Sequence, residues 1–441
     1  HGNEAVTSEH VSCVAQVIFR ASTWAMFRAA KRVLGCGSDG DAVAPEEARW
    51  PCCCKRRLLG AGADLEAPAP GRGRRQPRLV DLNSAPLEQL QAVPGIGKSR
   101  AEKLVELRGK GTLASLHALT ALPGVRAGAL EKIAKHAYVH PEKGLHGLDG
   151  AEDKDADLRL RCGRLLFGSW NVRNLGRKSL ETNRARDVAA IVAEYDVIAL
   201  LELRDVEVVD GLLQLLGKDR WAAALSAQVG TDHHKEVYGY LYRTAAVKLL
   251  NSQILDDADD RWVREPFLAH FKAAGGFDFV VAAVHIVWGK TIVERRKEVE
   301  ALGKKLEKVK HWTGEGDIML VGDFNLEPDD AAWSTARGAG WVPLLEDVDG
   351  LTSMVGDTHL YDNIWLHGKN TAGSEWLGVA GVIKFDQVLH FGGKKGSKEA
   401  TKNAIKELSD HRPTWALFAS DRDDDWSWSS VMPLFGKAGG S

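Results

Sequence analysis

Asn171, Glu202, His285, Asp323, Asn325, Asp362 and the run Ser409-Asp410-His411 share one property: each stands at the edge of an apolar run. Asn171 follows Phe167-Gly168-Ser169-Trp170, Glu202 ends Val197-Ile198-Ala199-Leu200-Leu201, and His285 ends Val281-Ala282-Ala283-Val284. Asp323 and Asn325 follow Ile318-Met319-Leu320-Val321-Gly322, while Asp362 opens Asp362-Asn363-Ile364-Trp365-Leu366. Short apolar runs rich in β-branched residues read as buried strands. An acid, amide or imidazole at the edge of so many strands serves no packing purpose. A shared site at one edge of a sheet, built to hold a divalent cation and a phosphate, explains the pattern.

The elements that must carry this site begin near residue 161. From there to about residue 420, apolar strands alternate with charged helical segments such as Lys178 to Glu194 and Val293 to Trp312. That stretch is a comfortable size for a single α/β domain. The chain of 441 residues leaves room for more upstream. Residues 1–77 read as an extension containing a basic amphipathic helix over 13–34, the cysteines Cys52, Cys53 and Cys54 beside Lys55-Arg56-Arg57, and a Gly, Ala, Pro and Arg-rich linker. A basic helix and cysteines beside basic residues suit a membrane surface and S-palmitoylation. A disordered extension with a fortuitous cysteine cluster is the competing reading. Residues 141–160 read as an acidic hinge, and 421–441 as a tail with no assigned role.

Between extension and hinge, residues 78–140 hold two copies of one pattern offset by 29 residues. The first runs Val93-Pro94-Gly95-Ile96-Gly97-Lys98-Ser99-Arg100, the second Leu122-Pro123-Gly124-Val125-Arg126-Ala127. In each, Pro-Gly ends a preceding helix (Leu87 to Val93, then Leu113 to Leu122) and an apolar residue anchors the turn into the next. Gly95, Gly97 and Gly124 let the backbone approach a phosphate, and the free N–H groups of the following helix point at the anion. Lys98, Arg100 and Arg126 add charge without reading bases. Charge agrees: from Arg72 to Lys135 there are twelve Lys/Arg against five Asp/Glu, although the whole chain carries only -2. A compact basic block is the footprint of a polyanion binder. An αα-hairpin used only for protein contacts is the alternative.

Two resemblances follow from these motifs. The paired hairpins, with the lead-in Asp81-Leu82-Asn83-Ser84-Ala85, resemble a tandem helix-hairpin-helix DNA-binding domain. Downstream, the order Trp170-Asn171-Val172-Arg173, Leu201-Glu202-Leu203-Arg204, Lys235-Glu236, Arg264-Glu265-Pro266, Val284-His285, Gly322-Asp323-Phe324-Asn325, Tyr361-Asp362 and Ser409-Asp410-His411 resembles the endonuclease/exonuclease/phosphatase superfamily, DNase I-like branch. That likeness implies a four-layer αββα sandwich, two sheets face to face with helices outside, behind a small all-α module. It also implies a metal-dependent DNA phosphodiesterase with links to DNA repair. By position, Glu202, Asn171 and Asp410 would hold Mg²⁺ or Mn²⁺, and Asp323 and Asn325 would orient water and phosphate. His285 with Glu236, and His411 with Asp362, would flank the scissile bond, while Arg204 and Arg264 grip neighbouring phosphates. Taken singly, Asp362 also fits a strand-end turn former, Arg264 a surface charge and His285 a core histidine.

Two departures bound the reading. Five of the six cysteines precede residue 55, leaving Cys162 alone in the long C-terminal region. An internal disulfide there is excluded, so a reducing, intracellular setting is expected, nuclear or membrane-associated. The acidic loop Asp256, Asp257, Asp259 and Asp260 would repel a DNA backbone if it faced the groove; binding Ca²⁺ or simple solvation are its other readings. The alternatives to a nuclease are a phosphatase of the same superfamily acting on another phosphoester, and an inactive DNA-binding scaffold.

Overall fold

Alternation along the strands decides the architecture. In chain order they are β1 (Val80–Asp81), β2 (Ala137–Tyr138), β3 (Arg164–Leu175), β4 (Val197–Leu203), β5 (Trp221–Leu225), β6 (Val237–Arg243), β7 (Val247–Ile254), β8 (Phe267–Ala273), β9 (Asp278–His285), β10 (Ile318–Asp323), β11 (Trp341–Pro343), β12 (Asp362–His367), β13 (Trp376–Val382) and β14 (Thr414–Ala419). These come from a computed structural model describing residues 79–141 and 154–423, apart from 232–234, 314, 347–349, 369, 372 and 391–395. The helix read over 13–34, the cysteines Cys52 to Cys54 and the tail beyond residue 423 lie outside the described residues.

β3 to β14 form two six-stranded sheets, ordered β13-β14-β3-β4-β6-β5 and β11-β12-β10-β9-β8-β7. Successive side chains on a strand face opposite ways. Leu165 and Phe167 on β3 therefore meet Phe279, Val281 and Ala283 on β9 between the sheets. Leu166 and Trp170 turn outward onto the helices Arg184–Val192 and Val206–Leu216. On the other side Val280, Ala282 and Val284 pack under the helix Ile292–Thr313. Three cores separate four layers, which is the expected αββα sandwich.

Inside each sheet one parallel pair carries the chemistry: β3 beside β4, and β9 beside β10. Parallel neighbours end on the same side, so the C-terminal edges bring Asn171 near Glu202 and Asp323 opposite His285. Gly322 makes the second pairing tight. Its φ is +135°, and a Cβ there would lie 2.0 Å from the Val284 carbonyl oxygen. Only glycine fits.

The N-terminal module repeats its hydrogen bonds at the offset seen in the sequence. Val93 N–H bonds Leu90 O and Ile96 N–H bonds Val93 O, and Leu122 and Val125 do the same with Leu119 and Leu122. Its helices are Leu87–Ala92, Gly97–Lys110, the 3₁₀ turn Leu116–Ala121 and Ala127–Ala134. The segment expected to be helical from Leu113 to Leu122 thus starts later and winds tighter. Asn83 bonds both the N–H and the C=O of Leu113 (2.8 and 3.0 Å), holding that residue out of a helix. Asp155 then caps the turn by accepting from Leu116 and His117 N–H groups.

Asp155 belongs to Lys154–Arg161, a helix at the last part of the hinge expected over 141–160; residues 142–153 lie outside the described residues. Leu158 buries into the module's core, and Arg159 makes two 3.1 Å bonds to the fully buried Asp196 of the sandwich. Apolar side chains at 156, 158 and 160 alternate with charges, and tertiary contacts on both sides supply what this polar segment lacks alone. His140 packs edge-on to Trp415 with ring centroids 4.8 Å apart, and Arg164 donates to Ala137 O at 2.8 Å. Module and sandwich lie within one compact unit, Gly71–Ser441.

Candidate active site

The ladder breaks where the functional side chains leave it. Pairing of β3 with β4 shifts register between Asn171 and Leu175, and pairing of β4 with β6 shifts between Leu200 and Leu203. At those irregularities Arg173, Asn174 and Glu202 take positive φ values of 47°, 53° and 62°, and Asn325 beyond β10 takes 49°. Non-glycine residues hold such conformations at a cost and concentrate where geometry matters. Their effect is to turn Glu202 into the cleft. Its Oε1 accepts from Asn171 Nδ2 at 3.0 Å and its Oε2 from Asn174 N–H at 2.9 Å.

Asp323 is the centre. Its Oδ2 accepts from Asn171 Nδ2 at 3.1 Å and lies 3.6 Å from His285 Nε2 and 3.5 Å from His411 Nε2. Its Oδ1 accepts the Asn325 N–H at 2.9 Å, and Asn325 Nδ2 donates to Ile286 O at 2.8 Å. Each imidazole is fixed from behind: His285 Nδ1 stands 2.8 Å from Glu236 Oε1, and His411 Nδ1 2.8 Å from Asp362 Oδ2. A carboxylate on Nδ1 sets the tautomer and aims Nε2 at the cleft. Both rings face one buried carboxylate oxygen from two sides.

Electrostatics follow from that packing. Burial alone would lower the His285 pKa, but Glu236 and Asp323 outweigh it and the net shift is upward. His411 is buried too, yet Asp362 and Asp323 push it up to about 10. Burial lifts Asp362 to about 6 while the facing His411 pulls it back. A proton is thus retained on the His411 imidazole at neutral pH.

The centre carries carboxylate and imidazole groups able to hold a divalent metal ion. Glu202 Oε1 and Asp323 Oδ2 both accept from Asn171 Nδ2, which brings together two carboxylates of the kind a hard cation takes, while Asn171 Oδ1 accepts the Arg173 N–H at 2.9 Å. Asp323, Asp362 and His411 also offer ligand atoms within 4.8 Å of one another, and Asp362 Oδ1 is buried without a hydrogen-bond partner. Asp410 departs from its expected place as a ligand. Its carboxylate turns to Arg173, 3.6 Å away.

The two arginines also differ from expectation. Arg264 Nε lies 3.1 Å from Glu236 Oε2, behind His285, with Nε and Nη1 buried and not hydrogen-bonded. It braces the imidazole's partner. Arg204 is half-buried at the rim, bonded to Lys235 O at 2.6 Å and to Asn174 Oδ1. The acidic loop consumes its own charge: Asp257 accepts from the N–H groups of Arg261 and Trp262, and Asp259 from the Arg261 guanidinium.

In the hairpin module, Gly95, Gly97 and Gly124 all have positive φ, and nothing lies within 4 Å of a Cβ built on Gly97. That surface, with exposed Lys98 and Arg126, is open to a phosphate. Arg100 is a correction. It donates to Gly95 O at 2.6 Å, Gly124 O at 3.1 Å and Pro123 O at 3.2 Å, tying one hairpin to the other. Three of its five N–H donors are spent inside the module. Arg100→Ala is therefore expected to speed hydrogen exchange across both Pro-Gly turns. Lys98→Ala should leave exchange alone and lower the slope of log affinity for DNA against log salt by about 1. Equal exchange in the two variants would contradict the assignment.

Several supports were not singled out from sequence. Arg184 donates to Val172 O, Arg173 O and Leu408 O, bracing the strained end of β3. Glu298 accepts Val263 and Val287 N–H groups, holding the loops that carry Arg264 and follow His285. An acid at helical spacing from buried Ala301 and Leu302 was its only signal. Ser409 Oγ donates to Asn171 O and accepts His411 N–H, so the motif's serine joins two strand ends. Trp288, 55% exposed, lies under the Arg295 guanidinium at 3.5 Å on the lip of the cleft.

Comparison with known proteins adds four findings. Residues 76–138 match the family model described as helix-hairpin-helix motif. The chain is 33% identical over 287 residues to a deoxyribonuclease of Thioalkalivibrio sp. (strain K90mix), covering 60% of this chain and 71% of that protein. It is 27% identical over 275 residues to deoxyribonuclease gamma of Rattus norvegicus, covering 58% of this chain and 84% of that protein. Among solved structures, a humanized D. rerio TDP2 with 14 mutations matches with TM-score 0.43 and 20% identity, over 58% of this chain and 99% of that chain.

Proposed function

Because this chain belongs to the deoxyribonuclease family of the endonuclease/exonuclease/phosphatase superfamily, we propose that it hydrolyses DNA phosphodiester bonds with a divalent cation, Mg²⁺ or Mn²⁺. The observation that carries this is the single oxygen Asp323 Oδ2 between two carboxylate-backed imidazoles. One phosphate placed there meets a proton-transfer group on each side, as in-line hydrolysis requires. Glu202 and Asn171 would hold the cation, whose chemistry is to neutralise charge on the phosphate and the leaving oxygen.

The chain's own groups do the rest. His285 and His411 hold or move protons at Nε2, one on the water side and one on the leaving side. Asp323 orders both rings and, with Asn325, the attacking water. Glu236 and Asp362 keep each Nδ1 proton in place, and Arg264 Nε braces Glu236 from 3.1 Å. The hairpin module contributes a grip on the DNA backbone without base reading, through the open surface at Gly97 and Lys98.

The test is incubation of the full chain with supercoiled plasmid, abasic duplex and a soluble inositol phosphate. Nicked plasmid is expected with Mg²⁺ or Mn²⁺, falling to background in EDTA and returning when the ion is restored. Phosphate released from the inositol substrate with intact plasmid would overturn the proposal.

A further inference from the structure

Far from the catalytic edge, three buried groups meet that the proposed reaction does not use. His270 on β8, Asp278 at the start of β9 and Glu315 ahead of β10 are 1%, 5% and 0% exposed. One ligand atom of each lies within 4.8 Å of the others. Asp278 opens the strand that His285 closes, and seven residues of extended chain separate them by about 20 Å. The cluster is at the opposite end of the sheet. We propose that His270, Asp278 and Glu315 form a second, structural divalent-metal site that takes a first-row transition ion.

His270 is the observation that points to a ligand. Neither ring nitrogen makes a hydrogen bond, although the residue is buried. A buried polar group left unbonded is costly and rare. Nε2 faces Asp278 Oδ2 at 3.4 Å, outside bonding geometry but at the separation of two ligands of one ion. The cross-strand register places His270 against Val280 and Asp278 against Lys272, so ring and carboxylate share the outer face of the sheet. Glu315 is oriented by its own loop, its Oε1 accepting the Asp317 N–H at 2.9 Å.

Charge favours a cation. Lys272 Nζ lies 3.3 Å from Asp278 Oδ1 and leaves Oδ2 to the cluster; that lysine side chain is 41% exposed. An imidazole nitrogen combined with carboxylate oxygens suits Zn²⁺ or Mn²⁺, whereas Ca²⁺ and Mg²⁺ take oxygen-only sets. Bound there, the ion would tie the β8–β9 hairpin to the run entering β10.

The experiment uses the full chain, stripped with chelator and titrated with Zn²⁺ in excess Mg²⁺. Metal content after desalting and the midpoint of thermal unfolding are both read. Wild type and Asp323→Asn should each retain one equivalent of Zn²⁺ and gain roughly 5 °C. His270→Gln and Glu315→Gln should lose at least tenfold in Zn²⁺ affinity and most of that gain; the pair guards against one variant failing to fold. Zn²⁺ retention that survives both substitutions, or that disappears in Asp323→Asn, overturns the site. Absence of retained Zn²⁺ in the wild type overturns it as well. None of these readouts depends on nuclease activity.

Discussion

Asp323→Ala is expected to reduce plasmid nicking by roughly 10⁴-fold while leaving DNA affinity within about twofold. The size follows from sharing. One carboxylate faces both Nε2 atoms, accepts from Asn171 and positions Asn325. Its removal disturbs both proton-transfer groups and the cation's donor set together. Affinity should persist because the backbone grip at Gly97 and Lys98 makes no use of Asp323. Asp323→Asn is the control for shape: an amide can still accept the Asn325 N–H, so the fold should hold while the rate stays low. Nicking by Asp323→Ala within tenfold of wild type would remove the foundation of the proposed mechanism.

The second large effect is expected at the pair His411–Asp362. Asp362→Asn should lower the nicking rate by about 10²- to 10⁴-fold, the usual contribution of a positioned acid or base. It should also move the imidazole's titration. In the wild type, burial works against the charged ring, but Asp362 and Asp323 hold His411 up to about 10. Without Asp362 the value should fall toward the ordinary histidine value of about 6.5. The sign for stability follows. A pKa raised on folding contributes stability that is complete below the unfolded value and disappears as pH rises through the folded one. Metal-free wild type should therefore lose stability as pH rises from about 6.5 toward 10, and Asp362→Asn should show a flatter profile. NMR of the His411 ring and denaturant titrations across that range would measure both. A ring pKa unchanged by Asp362→Asn would show that the carboxylate does not control it.

Much of the catalytic constellation was legible as a list but not as a geometry. The residues Asn171, Glu202, Glu236, His285, Asp323, Asn325, Asp362 and His411 each sit at the edge of a locally recognisable strand. Their types already suggest phosphate chemistry. The exchange of roles among arginines was not legible. A guanidinium that braces Glu236 looks the same in sequence as one that grips a phosphate, and only the 3.1 Å approach of Arg264 separates them. The same holds for Arg100, whose three carbonyl partners lie five, 23 and 24 residues away.

What the chain settles alone is local. Alternating apolar residues make the strands, Pro-Gly makes the paired hairpins, and an acid or imidazole at a strand end needs nothing distant to be recognised. What tertiary structure decided is every relation between segments far apart in sequence. It made Lys154–Arg161 a helix, because Asp196 and the module's core complete a surface too polar to hold itself. It delayed the turn at Leu116, because Asn83 claims Leu113 from 30 residues away. It put one oxygen of Asp323 between two rings 126 residues apart, because parallel strands end on the same side and the two sheets pack face to face. Contacts of that kind depend on how sheets stack and strands register, and no short stretch of residues encodes them.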